Sequence, residues 1–288
     1  MNSYLDWSAK GKAGGWRYLF GSVVLLILLF AVAGQEDLFV GLFLGNSQNS
    51  VAVTMLGTAF AFGITFFAIL LLVRLLHKRP FWSVAMPRWE FLKWDFWIGF
   101  LIGLIVTFVS PLVFGFFGLV EINFNPDFSM ISLAAAALTA FVGLFFQAGS
   151  EELLFRGYFT QFARRFTANK FLFIGIPAFI FAAPHMLNIS QVGGGILLIL
   201  PYLIPALVLG WAAYRTGTLW LPLGLHLSNN YVSVVLLGTR EDVLPSAAPL
   251  LMDFPSLPVI VAIITVQSVV LVATLEFLIQ RRNSKQSI

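Results

Sequence analysis

The chain has 288 residues, of which 59% are hydrophobic and only 10% carry charge, where a soluble domain usually has about a quarter charged residues. So few charged side chains cannot cover a water-soluble globule of this size, which excludes a soluble enzyme, a disordered chain and an ordinary nucleic-acid-binding protein. Cysteine is absent, so disulfide scaffolds, thiolate metal sites and cysteine nucleophiles are excluded as well.

Uncharged runs long enough to cross a bilayer, which takes about 20 helical residues, recur along the chain. We therefore predict an all-α polytopic membrane protein with about eight transmembrane helices. In chain order they cover approximately residues 17–34, 51–76, 95–120, 131–165, 169–188, 194–215, 217–238 and 256–280. The long apolar run that contains the fifth and sixth helices is divided by a polar, glycine-rich turn near residues 188–195.

The basic residues predict the orientation of these helices, because loops rich in Lys and Arg stay on the cytoplasmic side. Such residues precede the first predicted helix, follow the eighth, and occupy the loops after the second, fourth and sixth. In the alternate loops, Arg240 is the one basic residue. Both termini are therefore expected to be cytoplasmic, in a multi-pass protein of the plasma membrane.

The expected organisation has three parts. Residues 1–120 form N-terminal transmembrane helices and an interfacial linker, residues 121–240 a catalytic core, and residues 241–288 a C-terminal transmembrane helix and tail. The basic, tryptophan-rich stretch from Arg74 to Trp97 is the linker, and its composition is typical of a segment that lies at the membrane surface.

Strongly polar residues inside the predicted helices indicate where the chemistry is, because a charge in hydrocarbon costs roughly 2.5–3.5 kcal/mol even on mild insertion scales. Apart from Glu276 near the cytoplasmic end of the eighth helix, three helices carry them: Glu151, Glu152 and Arg156 in the fourth, His185 in the fifth, and His226 and Asn230 in the seventh. At about 1.5 Å per residue, similar depths of roughly 16–23 Å from the nearest cytoplasmic basic residue of the flanking loop are expected for Glu151, His185, His226 and Asn230. One level shared by three helices favours a common site.

The spacing within each set adds detail. Glu152 and Arg156 are four residues apart and are expected to form an ion pair on one helix face. Glu151 should point about 100° away from Glu152 and be available for another role. His226 and Asn230 are also four residues apart, so two neutral donors on adjacent turns could stabilise an oxyanion.

These residues resemble the CPBP family of intramembrane proteases, which includes Rce1-like CAAX prenyl endopeptidases and the prokaryotic ABI group. The family pattern is matched in order by Glu151-Glu152-x-x-x-Arg156, Phe181-x-x-x-His185 and His226-x-x-x-Asn230, within about residues 130–238. The resemblance implies that Glu151 and His185 activate a water for attack on a peptide carbonyl. It further implies that His226 and Asn230 form the oxyanion hole, and that Glu152 and Arg156 support the site.

By the same resemblance the protein is a glutamic-type endopeptidase without a cofactor, acting in the lipid bilayer on a peptide or membrane-protein substrate, with no nucleic-acid partner. Three alternatives stay open. Glu151, His185 and His226 could instead hold zinc in a metalloendopeptidase. Intramembrane Glu and His residues also form proton relays in transporters. A non-catalytic bacteriocin-immunity protein could retain the same fold.

Overall fold

The computed structural model describes residues 3–44, 50–89, 93–186, 195–240 and 245–286. The predicted all-α polytopic membrane architecture is confirmed. The α-helices are α1 (Gly15–Val32), α2 (Glu36–Leu44), α3 (Val51–Leu76), α4 (Trp94–Phe116), α5 (Met130–Glu151), α6 (Thr160–Arg164), α7 (Lys170–His185), α8 (Leu200–Thr216), α9 (Trp220–Val235) and α10 (Leu257–Gln286). A π-helix, Glu152–Phe159, joins α5 to α6. Short 3-10 helices cover Tyr4–Trp7, Phe81–Val84 and Gly195–Ile199.

Six helical stretches in the described part of the chain are long and apolar enough to cross a membrane, and they correspond to six of the eight predicted spans. They are Gly15–Val32, Val51–Leu76, Trp94–Phe116, Met130–Arg164, Gly195–Thr216 and Leu257–Arg281. The other two predicted helices, 169–188 and 217–238, correspond to α7 and α9. The observed helices α7 and α9 have 16 residues each, about 24 Å of helix against a hydrocarbon core of about 30 Å.

Three short strands were not predicted from the sequence. They are β1 (Ile122–Phe124), β2 (Leu237–Thr239) and β3 (Leu250–Met252), in the order β1-β3-β2. β3 pairs with β1 antiparallel and with β2 parallel. The sheet joins the chain that follows α4 to the chain that follows α9, on the side predicted to be extracytoplasmic. The predicted polar turn near 188–195 lies almost entirely outside the described residues.

Helix α9 packs closely against α4 through glycine contacts. A Cβ on Gly224 would lie 2.1 Å from the carbonyl oxygen of Phe96, and a Cβ on Gly99 would lie 2.5 Å from that of Leu221. Apolar burial gives helices little advantage over contact with lipid, so close backbone packing at small residues is a main source of helix association in membranes. These glycines therefore fix the position of α9, which carries His226 and Asn230.

A buried polar cluster ties the N-terminal segment to the chain after α3. The guanidinium of Arg79 is 1% exposed and donates hydrogen bonds to the Trp7 carbonyl, the Tyr18 hydroxyl and the Gln161 side chain. Gln161 in turn donates to the Tyr4 carbonyl at 3.0 Å. Protein carbonyls and side-chain oxygens therefore replace water around the charge of Arg79.

His77 belongs to this cluster and is held as a neutral imidazole. Its Nδ1 lies 3.1 Å from the Lys12 carbonyl, which can only accept, and its Nε2 lies 2.8 Å from the Tyr158 hydroxyl. Burial, followed by the charge of Arg79, lowers the pKa of His77 to about 4, and the bond to Lys12 opposes this only in part. Protonation of His77 would therefore disrupt the cluster.

We predict that Gly224→Ala destabilises the protein by about 1–3 kcal/mol, because the added methyl group overpacks the contact with Phe96. Gly175→Ala is the matched control, since nothing lies within 4 Å of a Cβ at this helical position. Alanine there should be neutral or stabilise the helix by up to about 1 kcal/mol. The effects of Gly224→Ala and Gly175→Ala are measured as thermal unfolding midpoints in detergent. Equal midpoints for the two variants would contradict the packing described for α9.

We also predict a pH-dependent stability that originates at His77. As the pH falls, the unfolded histidine binds its proton near pH 6.5 and the folded one only near pH 4. The stabilising contribution is therefore complete above pH 6.5 and declines as the pH falls towards 4. The free energy of unfolding, measured in detergent at a series of pH values, should fall more steeply for the wild type than for His77→Gln as the pH decreases. Equal slopes for the two proteins would contradict this role of His77.

Candidate active site

The acidic motif lies where α5 becomes the π-helix. Glu152 Oε1 accepts a hydrogen bond from Arg156 Nη1 at 2.8 Å, so the expected ion pair is present. Both side chains are almost fully buried, at 1% and 2% exposure. Arg156 also reaches the Ala206 carbonyl on α8 through Nη2 and places its guanidinium 4.4 Å from the ring centroid of Phe181 on α7. The ion pair thus connects three elements of the core.

His226 lies between the two glutamates. Its Nδ1 is 2.8 Å from Glu152 Oε1, and its Nε2 is 3.5 Å from Glu151 Oε2. Glu151 therefore contacts the same imidazole as Glu152. One imidazole reaches both carboxylates because its two nitrogens face opposite sides of the ring, and Glu152 Oε1 accepts from Arg156 and His226 together.

The π-helix accounts for part of this arrangement. Its hydrogen bonds run from residue i to i+5, which widens the turn relative to the single α-helix predicted over 131–165. Gly157 lies within it and packs against Val84, whose carbonyl oxygen would be 2.8 Å from a Cβ at this position. Every residue from Glu152 to Phe159 is buried. π-Helical segments occur often at functional sites. No pattern in the sequence predicted this one.

Gln147 is a member of the site that the sequence interpretation missed. Its Nε2 donates to Glu151 Oε1 at 3.2 Å, and its Oε1 accepts from Asn230 Nδ2 at 2.9 Å. Asn230 Oδ1 in turn accepts from Asn229 Nδ2 at 3.1 Å. The signal was available, because Gln147 is a polar residue in an apolar span four residues before Glu151, on the same helix face.

Within the described part of the chain, Glu151 has one oxygen that accepts no hydrogen bond. Oε1 is bound by Gln147, while Oε2 is buried without a hydrogen-bond donor. Glu151, His226 and Asn230 keep small exposed fractions of 5%, 8% and 9%, and Gln147 is half-buried. The least buried side of the cluster is therefore the side of Gln147 and Asn230.

His185 is separated from this cluster by the aromatic ring of Phe181. It is the last residue of α7, directly after Pro184, and its Nδ1 lies 2.7 Å from the Phe181 carbonyl. The ring centroids are 4.5 Å apart for His185 and Phe181, and 6.0 Å apart for Phe181 and His226. No hydrogen bond joins His185 to Glu151. The structure thus brings Glu151, His226 and Asn230 together and leaves His185 beside them.

The zinc alternative does not fit the donor set that is assembled here. Over the ranges that the structure describes, no group of three His, Asp or Glu side chains is arranged to hold a metal ion. His226 has both nitrogens directed at carboxylates, and the Arg156 cation lies within the same cluster. The residues proposed as ligands, Glu151, His185 and His226, are therefore not gathered around one point.

Comparison with known proteins agrees with the three motifs. Residues 132–232 match the family model described as type II CAAX prenyl endopeptidase Rce1-like. The chain is also similar to the uncharacterised protein YyaK of Bacillus subtilis (strain 168), with 26% identity over 259 residues that cover 84% of each chain. No solved structure matches the chain. The matched segment contains every residue of the three motifs, so residues 132–232 form an Rce1-like segment and the family resemblance is confirmed.

Proposed function

We propose that this protein is an intramembrane endopeptidase in which Glu151, with His185, activates a water for attack on a peptide bond. The Rce1-like family implies CAAX-type protease activity in a membrane and a peptide substrate. The observation that carries the finer proposal is the placement of His226 between two buried carboxylates. Each has one oxygen without a donor, and that of Glu151 faces Nε2 of His226.

Charge balance gives this cluster one movable proton. With both glutamates ionised and Arg156 cationic, a neutral His226 would leave one net negative charge in a buried site. A low-dielectric environment favours the neutral set, so one proton resides on either His226 or Glu151. These two groups are 3.5 Å apart at Nε2 and Oε2, which makes them the pair that can exchange it.

The reaction begins with the proton on His226, so that Glu151 is a free carboxylate. Oε2 accepts a proton from water as the water oxygen bonds to the peptide carbonyl carbon and the carbonyl electron pair moves to its oxygen. Nδ2 of Asn230 and Nε2 of His226 donate to this oxyanion. The carbon–nitrogen bond then breaks, and Glu151 returns its proton to the leaving nitrogen.

The reacting groups are oriented or assisted by Glu152, Arg156 and His185. Glu152 accepts from Nδ1 of His226 and thereby directs Nε2 towards Glu151. Arg156 compensates the charge of Glu152. His185 acts on the water through Nε2, because its Nδ1 is bound to the Phe181 carbonyl.

The proposal extends to organisation and location. Residues 121–240 are the catalytic core, within which the family match lies, and residues 1–120 and 241–288 support it. The protein resides in the cell membrane with both termini in the cytoplasm, as the distribution of basic residues predicts.

We predict that Glu151→Gln reduces hydrolysis of a farnesylated CAAX-type peptide by roughly 100- to 10,000-fold, the usual contribution of a general base. The matched control is Glu276→Gln, which changes another membrane glutamate, one that pairs with Arg215. This control should keep wild-type activity. Product release is measured by mass spectrometry on purified, folded variants. Undiminished cleavage by Glu151→Gln would contradict the mechanism.

Metal removal provides a separate prediction. Because the assembled residues do not fit a metal ion, we expect hydrolysis to persist after exhaustive chelation. Elemental analysis of the chelated sample establishes that zinc is absent. Loss of activity on chelation that zinc alone restores would overturn this part of the proposal.

A further inference from the structure

We propose that Gln147 is a positioning residue that orients the groups of the hydrolytic site on either side of it, the Glu151 carboxylate and the Asn230 carboxamide. This inference rests on the proposed function. Gln147 lies one helical turn before Glu151 on α5, whereas Asn230 belongs to α9. Its amide contacts both, as donor to Glu151 at 3.2 Å and as acceptor from Asn230 at 2.9 Å.

The direction of these hydrogen bonds is set by the carboxylate. An ionised glutamate only accepts, so Gln147 must present its NH₂ group to Glu151 and its carbonyl to Asn230. Asn230 must then present its NH₂ group to Gln147, and its carbonyl accepts from Asn229 at 3.1 Å. Three amides thus form one directed chain that ends on Glu151.

This chain has two consequences for the chemistry. Gln147 occupies Oε1 of Glu151, so Oε2, which faces His226, is the oxygen that takes the proton from water. Asn230 is held with its NH₂ group turned towards α5, and the second hydrogen of that group is available to the oxyanion. Gln147 therefore decides which oxygen acts as base and which end of Asn230 faces the substrate.

The contact between α5 and α9 does not depend on Gln147 for stability. Apolar side chains from both helices share one core cluster, among them Ala140, Leu144 and Ala148 of α5 and Leu223, Leu227 and Val234 of α9. Gln147 itself is half-buried. A variant with an apolar side chain of similar length should therefore fold, which separates an effect on catalysis from a loss of structure.

The test is the kinetics of Gln147→Met with the same farnesylated peptide. We expect kcat to fall roughly 10- to 100-fold, as for a misplaced catalytic group, with KM and the unfolding midpoint nearly unchanged. Ser150→Ala is the matched control: its hydroxyl donates only to the Gln147 backbone carbonyl among the described residues, and activity should not change.

A second variant tests whether the residues act as a unit. The part of the loss that Gln147 transmits through Asn230 should be absent when Asn230 is already alanine. The double variant Gln147→Met/Asn230→Ala should therefore lose less kcat than the product of the two single losses. Fully multiplicative losses, or a wild-type kcat for Gln147→Met while Glu151→Gln is inactive, would overturn the positioning role alone. Full activity of Glu151→Gln would instead overturn the proposed function.

Discussion

The site depends on one carboxylate oxygen, Oε1 of Glu152, which accepts from Arg156 and His226 while the side chain is 1% exposed. A buried carboxylate costs several kcal/mol unless charge and hydrogen bonds compensate it. Arg156 supplies the charge and is itself held by the carbonyl of Ala206 and the ring of Phe181. Helices α7, α8 and α9 therefore meet at the π-helix because one buried charge requires partners from all three.

The same interaction makes two adjacent glutamates chemically different. Glu152 accepts from the cationic Arg156 and from His226 on one oxygen, while its other oxygen is buried without a donor. Glu151 receives a hydrogen bond from Gln147 on one oxygen only, and its other oxygen faces Nε2 of His226. In the proposed mechanism Glu152 orients the imidazole and Glu151 carries the proton. Different environments for neighbouring carboxylates are a common way to divide catalytic roles.

The lengths of the apolar runs predicted most of the helices, and the four-residue spacing predicted the ion pair of Glu152 and Arg156. Both predictions follow from local chain geometry. The contact of Glu151 with His226 was not predicted, because it depends on an imidazole from another helix and on a π-helix that no local spacing indicates. Gln147 was overlooked as one uncharged residue in an apolar span. The burial of Arg79 was not predicted, because composition does not reveal which protein carbonyls surround a charged side chain.

The central claim, that Glu152 fixes the orientation of His226, can be measured directly by ¹⁵N NMR of the histidine side chains in the purified protein. We expect Nδ1 of His226 to be protonated at neutral pH in the wild type and in Glu151→Gln, because it donates to Glu152 in both. A neutral imidazole with its proton only on Nε2 would contradict this claim, since Nδ1 could not then donate to Glu152.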